Sequence, residues 1–161
     1  MSGTDNNISD FDRMTAILDK TGVYSGLTSG ISMEPLIHHQ KDNIIVAKTS
    51  GRLNKYDIPV YRGTGGKIIM HRIVKVCDDH YEIFGDNTNR REIVTDDMIA
   101  GKLVGFYKNG KKYIDLEKNK AYKVYSRFWV AILPLRPLTM FINRGIRFVK
   151  RRILKLSLIH I

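Results

Sequence analysis

The segment SGISMEP (residues 29–35) places Ser32 where a nucleophile could stand on a tight turn. A serine hydroxyl needs a base within about 2.6 to 3.2 Å to attack a carbonyl at neutral pH, and it needs backbone N–H groups aimed at the developing oxyanion. Gly30 lets the chain turn tightly before the serine, and Pro35 restrains the chain after it. The segment therefore suits an exposed nucleophile.

His71, in the segment IIMHRIV (residues 68–74), is the candidate base. A histidine with a pKa near 6.5 is already a competent neutral base at physiological pH. Asp86, in the turn Gly-Asp-Asn (residues 85–87), is the candidate acid that holds the imidazole in the required tautomer. Taken singly, each residue also has a purely structural interpretation: a serine in a turn, a histidine packed in a strand, and an aspartate whose side chain hydrogen-bonds to its own backbone.

Four sequence segments, which follow one another in a fixed order, connect these three residues. SGISMEP is followed by KYDIPVY (residues 55–61), then by IIMHRIV and then by the Gly-Asp-Asn turn. Over about residues 24 to 108, this order resembles the peptidase domain of type I signal peptidases and self-cleaving SOS repressors. Bacterial members use a lysine base, whereas His71 makes the chain similar to the endoplasmic-reticulum, archaeal and spore-former enzymes, which pair serine and histidine with an aspartate.

The resemblance implies a serine endopeptidase in which Ser32 forms an acyl-enzyme, His71 moves its proton and Asp86 orients His71. Asp97, beside Asp96 in the segment that leads into the last strand of the domain, stays open as an alternative third residue. The substrate would be a peptide or leader segment bound as an extended strand.

The same resemblance implies the residues around the nucleophile. Gly30, Ile31 and Met33 form the predicted oxyanion and substrate groove, and Met33 is expected to pack into the floor of that groove. Many signal peptidases carry a serine at the position of Gly30, so here the backbone N–H of Ser32 would carry more of the oxyanion stabilisation.

The elements that must position these residues divide the chain into an arm, a domain and a tail. Ser9 and Gly22 delimit a short helix with Phe11, Met14, Ile17 and Leu18 on one face, within an arm of residues 1–22. Short runs rich in valine, isoleucine and tyrosine over residues 23–117 predict a mainly β domain with a coiled, barrel-like sheet. Residues 118–155 form a basic tail with helical spacing, and residues 156–161 match the translation of a sequencing adapter.

The net charge of +11 is confined to the tail. Residues 118–161 hold 11 lysines and arginines and no acidic residue, whereas residues 1–117 hold 16 basic and 16 acidic residues. With Phe128, Trp129, Phe141 and Phe148 among the basic residues, the tail is expected either to dock reversibly on an anionic membrane surface or to pack on the domain. A nucleic-acid partner is disfavoured, because no recognised nucleic-acid-binding fold accompanies the charge.

No cofactor and no metal are predicted. Cys77 has no partner cysteine, and the spacing of His38, His39 and His80 suggests no zinc site. No signal peptide or membrane span is recognised, so a cytoplasmic location is expected, with a possible peripheral site on the cytoplasmic membrane face. Two alternatives to the peptidase remain on the same fold: a self-cleaving regulator and a non-catalytic peptide-binding module.

Overall fold

The computed structural model describes residues 8–135. The described chain is mainly β, with a curled half-barrel sheet, one helix before it and one after it. The helices are α1 Asp10–Thr21 and α2 Lys120–Ala131. The strands are β1 Val23–Leu27, β2 Asn43–Ala47, β3 Pro59–Arg62, β4 Ile68–Met70, β5 Arg72–Val76, β6 Tyr81–Phe84, β7 Glu92–Val94, β8 Ile99–Lys108 and β9 Lys112–Asp115.

Helix α1 begins and ends where the sequence predicts. The Ser9 hydroxyl accepts a hydrogen bond from the N–H of Asp12 at 3.2 Å, and Gly22 ends the helix in the left-handed conformation. Phe11, Met14 and Leu18 are buried as predicted, but Ile17 is 44% exposed. The prediction for Ile17 was wrong because it lies about 100° around the helix from Leu18, at the edge of the apolar face.

Two antiparallel sheets form the body of the protein. The larger sheet has the order β1-β2-β8-β3-β4, with β9 also paired to β8, and the smaller has the order β5-β6-β7. Strand β8 pairs with β2 along one side, and its other side is shared by β3 and β9. The predicted hairpin at Asn109 and Gly110 is confirmed, since both residues have positive φ and join β8 to β9.

His71 lies between the two sheets. The apolar run at residues 67–76 could be one continuous strand, but the chain pairs with β3 as β4 and then with β6 as β5. Two apolar clusters form the core: one includes Met33 and Val60, and the other joins Tyr61 of the larger sheet to Ile73 of the smaller. The residue proposed as the base is therefore held at the junction of both halves of the fold.

Helix α2 begins at Lys120, inside the predicted tail. Asn119 caps it by accepting a hydrogen bond from the N–H of Tyr122 at 3.0 Å. Within residues 8–135 there is no helix with the length and apolar character needed to cross a bilayer. Phe141, Phe148 and the segment 156–161 lie outside the described residues.

Candidate active site

The loop that carries Ser32 joins β1 to β2 and is closed at its base by hydrogen bonds. The N–H of Gln40 donates to the carbonyl of Thr28 at 3.0 Å, and the N–H of His38 donates to Oδ2 of Asp42 at 2.8 Å. Asp42 is fully buried, and its other oxygen accepts from the N–H of Asn109 at 2.8 Å. The loop is thus tied both to itself and to the β8–β9 hairpin.

Ser32 sits between a buried and an exposed neighbour. Met33 is 4% exposed and belongs to the larger apolar cluster, whereas Ile31 is 58% exposed. Met33 was predicted to form the floor of a substrate groove, but its side chain lies in the core, because the turn directs it inward between α1 and the sheet. Met33 therefore anchors the loop, and Ile31 is the apolar side chain left beside Ser32 at the surface.

Gly30 provides the tight turn that the sequence predicts, with φ of 95°. Its N–H donates to Nδ1 of His39 at 3.0 Å, so this group is already used within the loop. The N–H of Ser32 donates to no other residue in the described range 8–135. Of these two donors, the Ser32 N–H is the one left for an oxyanion.

The Gly-Asp-Asn turn after β6 brings the serine loop and the histidine together. Asn87 binds the serine loop twice, because its N–H donates to the Ser32 carbonyl at 2.7 Å and its side chain donates to the Ile31 carbonyl at 3.1 Å. A Cβ at Gly85 would lie 2.8 Å from the Ser32 carbonyl oxygen and 2.9 Å from Nε2 of His71. The serine backbone and the imidazole therefore flank one point that only a glycine leaves open.

The backbone of Ser32 and the ring of His71 lie close to each other across Gly85, and their side chains are not hydrogen-bonded. Nε2 of His71 faces the serine loop across Gly85. Within the described part of the chain, the Ser32 hydroxyl makes no hydrogen bond to the ring or to any other group. Hydroxyl and base often form their hydrogen bond only when substrate is bound, so the missing bond does not conflict with a role for this pair in proton transfer.

On the other side of the ring, Nδ1 of His71 contacts residues that the sequence analysis did not identify. The hydroxyl of Tyr61 lies 3.0 Å from Nδ1, and Oε2 of Glu92 lies 3.5 Å from it. The Tyr61 hydroxyl donates its proton to Glu92. Its oxygen is then free to accept from Nδ1–H, which leaves the lone pair on Nε2, the atom that faces the serine loop.

Burial sets the charge state of this group. His71 is 5% exposed, and burial lowers its pKa below the usual value, although the nearby Glu92 carboxylate acts in the opposite direction. Burial also raises the pKa of Tyr61, and Glu92 raises it further. At neutral pH the imidazole is therefore uncharged and the phenol keeps its proton.

Asp86 is not the partner of His71 in the structure. Its carboxylate binds Arg72 through two hydrogen bonds, Nε to Oδ1 at 2.9 Å and Nη2 to Oδ2 at 2.7 Å, and Oδ2 also accepts from Tyr125 at 3.0 Å. The charge of this carboxylate raises the pKa of His71, but among the described residues its hydrogen bonds go to Arg72 and Tyr125 and not to the imidazole. The predicted hydrogen bond from Asp86 to His71 is corrected, and no contact with the ring supports a catalytic role for Asp86.

The rival acids also lie away from His71. Asp97 is exposed in a short turn before β8. Asp96 binds Arg52 at 2.7 Å and accepts from the hydroxyl of Tyr81 at 2.5 Å. The acidic residue nearest the imidazole is Glu92, and only the register of β7 against β6 brings it there.

Arg72 links the site to helix α2. Nη1 of Arg72 donates to the Tyr122 hydroxyl at 2.9 Å and to the Ser126 hydroxyl at 2.8 Å. Although burial lowers the pKa of Arg72, the Asp86 carboxylate raises it above the usual value, so the guanidinium is charged. Helix α2 is therefore fixed to the turn that holds the serine loop.

Of the two alternatives predicted for the tail, Trp129 follows packing on the domain. Its indole N–H donates to the backbone carbonyl of Asp86 at 2.9 Å, and its ring stacks on Tyr125 with centroids 5.3 Å apart. Phe128, on the outer face of α2, is 59% exposed. The described part of the tail thus follows the packing alternative on its inner face.

Comparison with protein-family models, with curated proteins and with solved structures finds no match. Around Ser32 and His71 no group of metal-ligating side chains is found in residues 8–135; the one such group lies at the far end of the β5–β6 hairpin.

Proposed function

We propose that the protein is a serine endopeptidase in which Ser32 is the nucleophile and His71 the general base. The observation that carries the proposal is the placement of Nε2 of His71 and the Ser32 carbonyl at 2.9 Å and 2.8 Å from one point at Gly85. The order of motifs resembling the signal peptidases supports the same assignment, with cleavage of a peptide or leader segment as the reaction.

In the proposed mechanism, Nε2 of His71 removes the hydroxyl proton as Oγ of Ser32 attacks the scissile carbonyl. The negative charge that develops on the carbonyl oxygen is bound by the free N–H of Ser32. His71 then gives its proton to the leaving amine, and an ester to Ser32 remains. Water, deprotonated by His71, attacks the ester and releases the second product.

In this mechanism, Tyr61 and Glu92 take the role that was predicted for Asp86. Both lie on the Nδ1 side of the ring, so they hold the tautomer in which Nε2 accepts a proton. When the imidazole becomes charged, the Glu92 carboxylate at 3.5 Å stabilises it across the Tyr61 hydroxyl. We propose both as positioning residues, since neither touches the reacting atoms.

The edge of the larger sheet offers a place for the substrate. Strand β1 ends the strand order, and it leads directly into the serine loop. Leu27, at the end of β1, and Ile31, next to Ser32 in the chain, are exposed by 68% and 58% of their surface. An extended peptide added to this edge would gain backbone hydrogen bonds, with apolar side chains contacting these two residues.

The proposal is tested by labelling the full chain with a fluorophosphonate probe and by profiling cleavage of a peptide library with mass spectrometry. We expect the label on Ser32, and loss of label and cleavage in Ser32→Ala and His71→Gln. The control Ser50→Ala removes an exposed loop hydroxyl and should keep both activities. Equal labelling of wild type and His71→Gln would refute the proposed dyad.

The two alternatives predict different outcomes of the same experiment. A self-cleaving regulator would cut its own chain with a rate independent of protein concentration, and it would leave the peptide library intact. A non-catalytic module would bind library peptides equally in wild type and Ser32→Ala, with no cleavage by either. Either result would replace the endopeptidase proposal.

A further inference from the structure

The tip of the β5–β6 hairpin carries three metal-ligating side chains of different chemistry. Cys77 directly follows β5, His80 directly precedes β6, and Glu82 lies on β6. The thiol sulfur, one imidazole nitrogen and one carboxylate oxygen all lie within 4.8 Å of one another. In residues 8–135 no other group of three such side chains is this close.

The hairpin geometry produces this cluster. The N–H of Cys77 donates to the carbonyl of His80 at 2.9 Å, so these two residues face each other across the turn. Lys75 pairs with Glu82, and alternate residues of a strand point to the same face. Cys77, His80 and Glu82 therefore project to one side of the ribbon.

Side chains around the cluster favour metal binding by His80. Oδ1 of Asp79 lies 2.6 Å from Nδ1 of His80, which leaves Nε2 as the ligand nitrogen. A carboxylate on the second nitrogen of a ligating histidine is the usual arrangement in zinc sites, because it fixes the ring and the tautomer. Arg52 donates to the backbone carbonyl of Cys77 and to Asp96, and so holds the turn in place.

Two cationic side chains contact Glu82, and a metal ion bound by Glu82 would displace at least one of them. Nζ of Lys75 and Nη1 of Arg91 each lie 3.3 Å from a carboxylate oxygen of Glu82. The exposed fractions of these two cationic side chains are 64% and 58%, and ion pairs at such positions contribute about 0 to 1 kcal/mol. Coordination by a divalent ion can therefore replace one of them at small cost.

We propose that Cys77, His80 and Glu82 bind a zinc ion, with Asp79 orienting His80. Thiolate, imidazole and carboxylate are the ligands zinc takes in proteins, and three protein ligands leave a fourth position for water or a partner's side chain. About 20 Å of extended chain separates Cys77 from His71, so this ion has no part in peptide cleavage. Its role is to fix the tip of the hairpin whose other end holds the imidazole.

The proposal is tested on the full, reduced, metal-free chain with cobalt and zinc. Cobalt should produce a thiolate-to-cobalt charge-transfer band and visible bands of tetrahedral intensity, and zinc should abolish both and compete with a chromophoric chelator. Cys77→Ser should lose the charge-transfer band, while His80→Gln and Glu82→Gln should weaken zinc binding. Asp79→Asn should weaken it about 10- to 100-fold, as expected for an orienting carboxylate.

Two controls separate this site from the rest of the molecule. His39→Ala and Glu117→Gln alter exposed residues outside the cluster and should bind zinc like the wild type. Ser32→Ala should also bind zinc normally, so failure of the peptidase proposal leaves this one standing. The absence of the cobalt band in wild type, or unchanged zinc binding in both His80→Gln and Glu82→Gln, would overturn the zinc site.

Discussion

The two ends of the β5–β6 hairpin place a histidine in opposite surroundings. His71, before β5, is 5% exposed and contacts a neutral phenol, whereas the side chain of His80, at the tip, is 25% exposed and contacts the carboxylate of Asp79. Burial lowers the pKa of His71, so its ring is neutral at physiological pH, and its Nε2 faces the serine loop across Gly85. The two histidines differ in the burial and in the charge of the groups around the ring, and these differences underlie the two roles that we propose for them.

The ion pairs near the two ends of the hairpin also differ in burial. Arg72 and Asp86 are each 1% exposed and form two hydrogen bonds, whereas Arg91 contacts Glu82 at 3.3 Å with 58% of its side chain in solvent. A buried pair that loses one partner leaves an uncompensated charge, whereas a surface pair can turn to water. Stability should therefore depend strongly on the first pair and weakly on the second.

The largest predicted effect comes from this contrast. Arg72→Met should lower the free energy of unfolding by about 3 to 5 kcal/mol, because Asp86 stays buried without its cation. Arg91→Met should change it by less than about 1 kcal/mol. Urea unfolding followed by circular dichroism measures both. If Arg72→Met is insoluble, Arg72→Met with Asp86→Asn should recover part of the loss, and equal effects of the two single variants would contradict the contrast.

A second pair of variants compares the carboxylates near the two histidines. Glu92→Gln should reduce kcat/KM for peptide cleavage about 100-fold, because the imidazolium loses its stabilising charge. Since Glu92 raises the pKa of His71, the acid limb of the pH profile should move to lower pH. Glu82→Gln should leave both the rate and the profile unchanged.

Tyr61→Phe should lower kcat/KM by a smaller factor and leave KM unchanged, as expected for loss of orientation rather than of substrate binding. A pH profile of Glu92→Gln that is identical to wild type would show that Glu92 does not act on His71. The peptide used for all variants is the best substrate found in the library.

A third prediction concerns Gly85, which lies in space between the Ser32 backbone and the His71 ring. Gly85→Ala should lower kcat/KM about tenfold or more, because the new methyl group would lie under 3 Å from both the Ser32 carbonyl and the imidazole. Gly110→Ala is the matched control: it strains a positive φ in the distant β8–β9 hairpin but meets no atom within 4 Å. Equal activity of the two variants would mean that the gap at Gly85 does not matter.

The smallest effect is a pH dependence of stability. Because burial lowers the pKa of His71, the unfolded chain binds a proton more tightly than the folded chain does. The contribution of His71 to stability is therefore complete above about pH 6.5, falls as pH decreases, and levels off below the folded pKa. The expected slope is at most about 1.4 kcal/mol per pH unit. His71→Gln should lack this part of the dependence, measured by urea unfolding at a series of pH values.

The sequence determined the local features, because these depend on neighbours in the chain. The Ser9 cap and Gly22 end of α1, the Asn109-Gly110 hairpin and the tight turn at Gly30 all follow from residue types over a few positions. The mainly β fold was also readable from alternating apolar runs. Ser32 and His71 were recognised through the order of their motifs, and the structure places them on either side of Gly85.

Only the tertiary structure decided what surrounds His71 and His80. Glu92 reaches His71 through the register of β7 on β6 and the position of Tyr61 on β3, and neither pairing has a signal in the sequence. Asp86 was given the wrong hydrogen-bond partner, because its spacing is compatible with either His71 or Arg72, and only the folded structure pairs it with Arg72. In the sequence, the three donors at the hairpin tip are only a single cysteine, a histidine and an acidic residue. The pairing of β5 with β6 makes them neighbours.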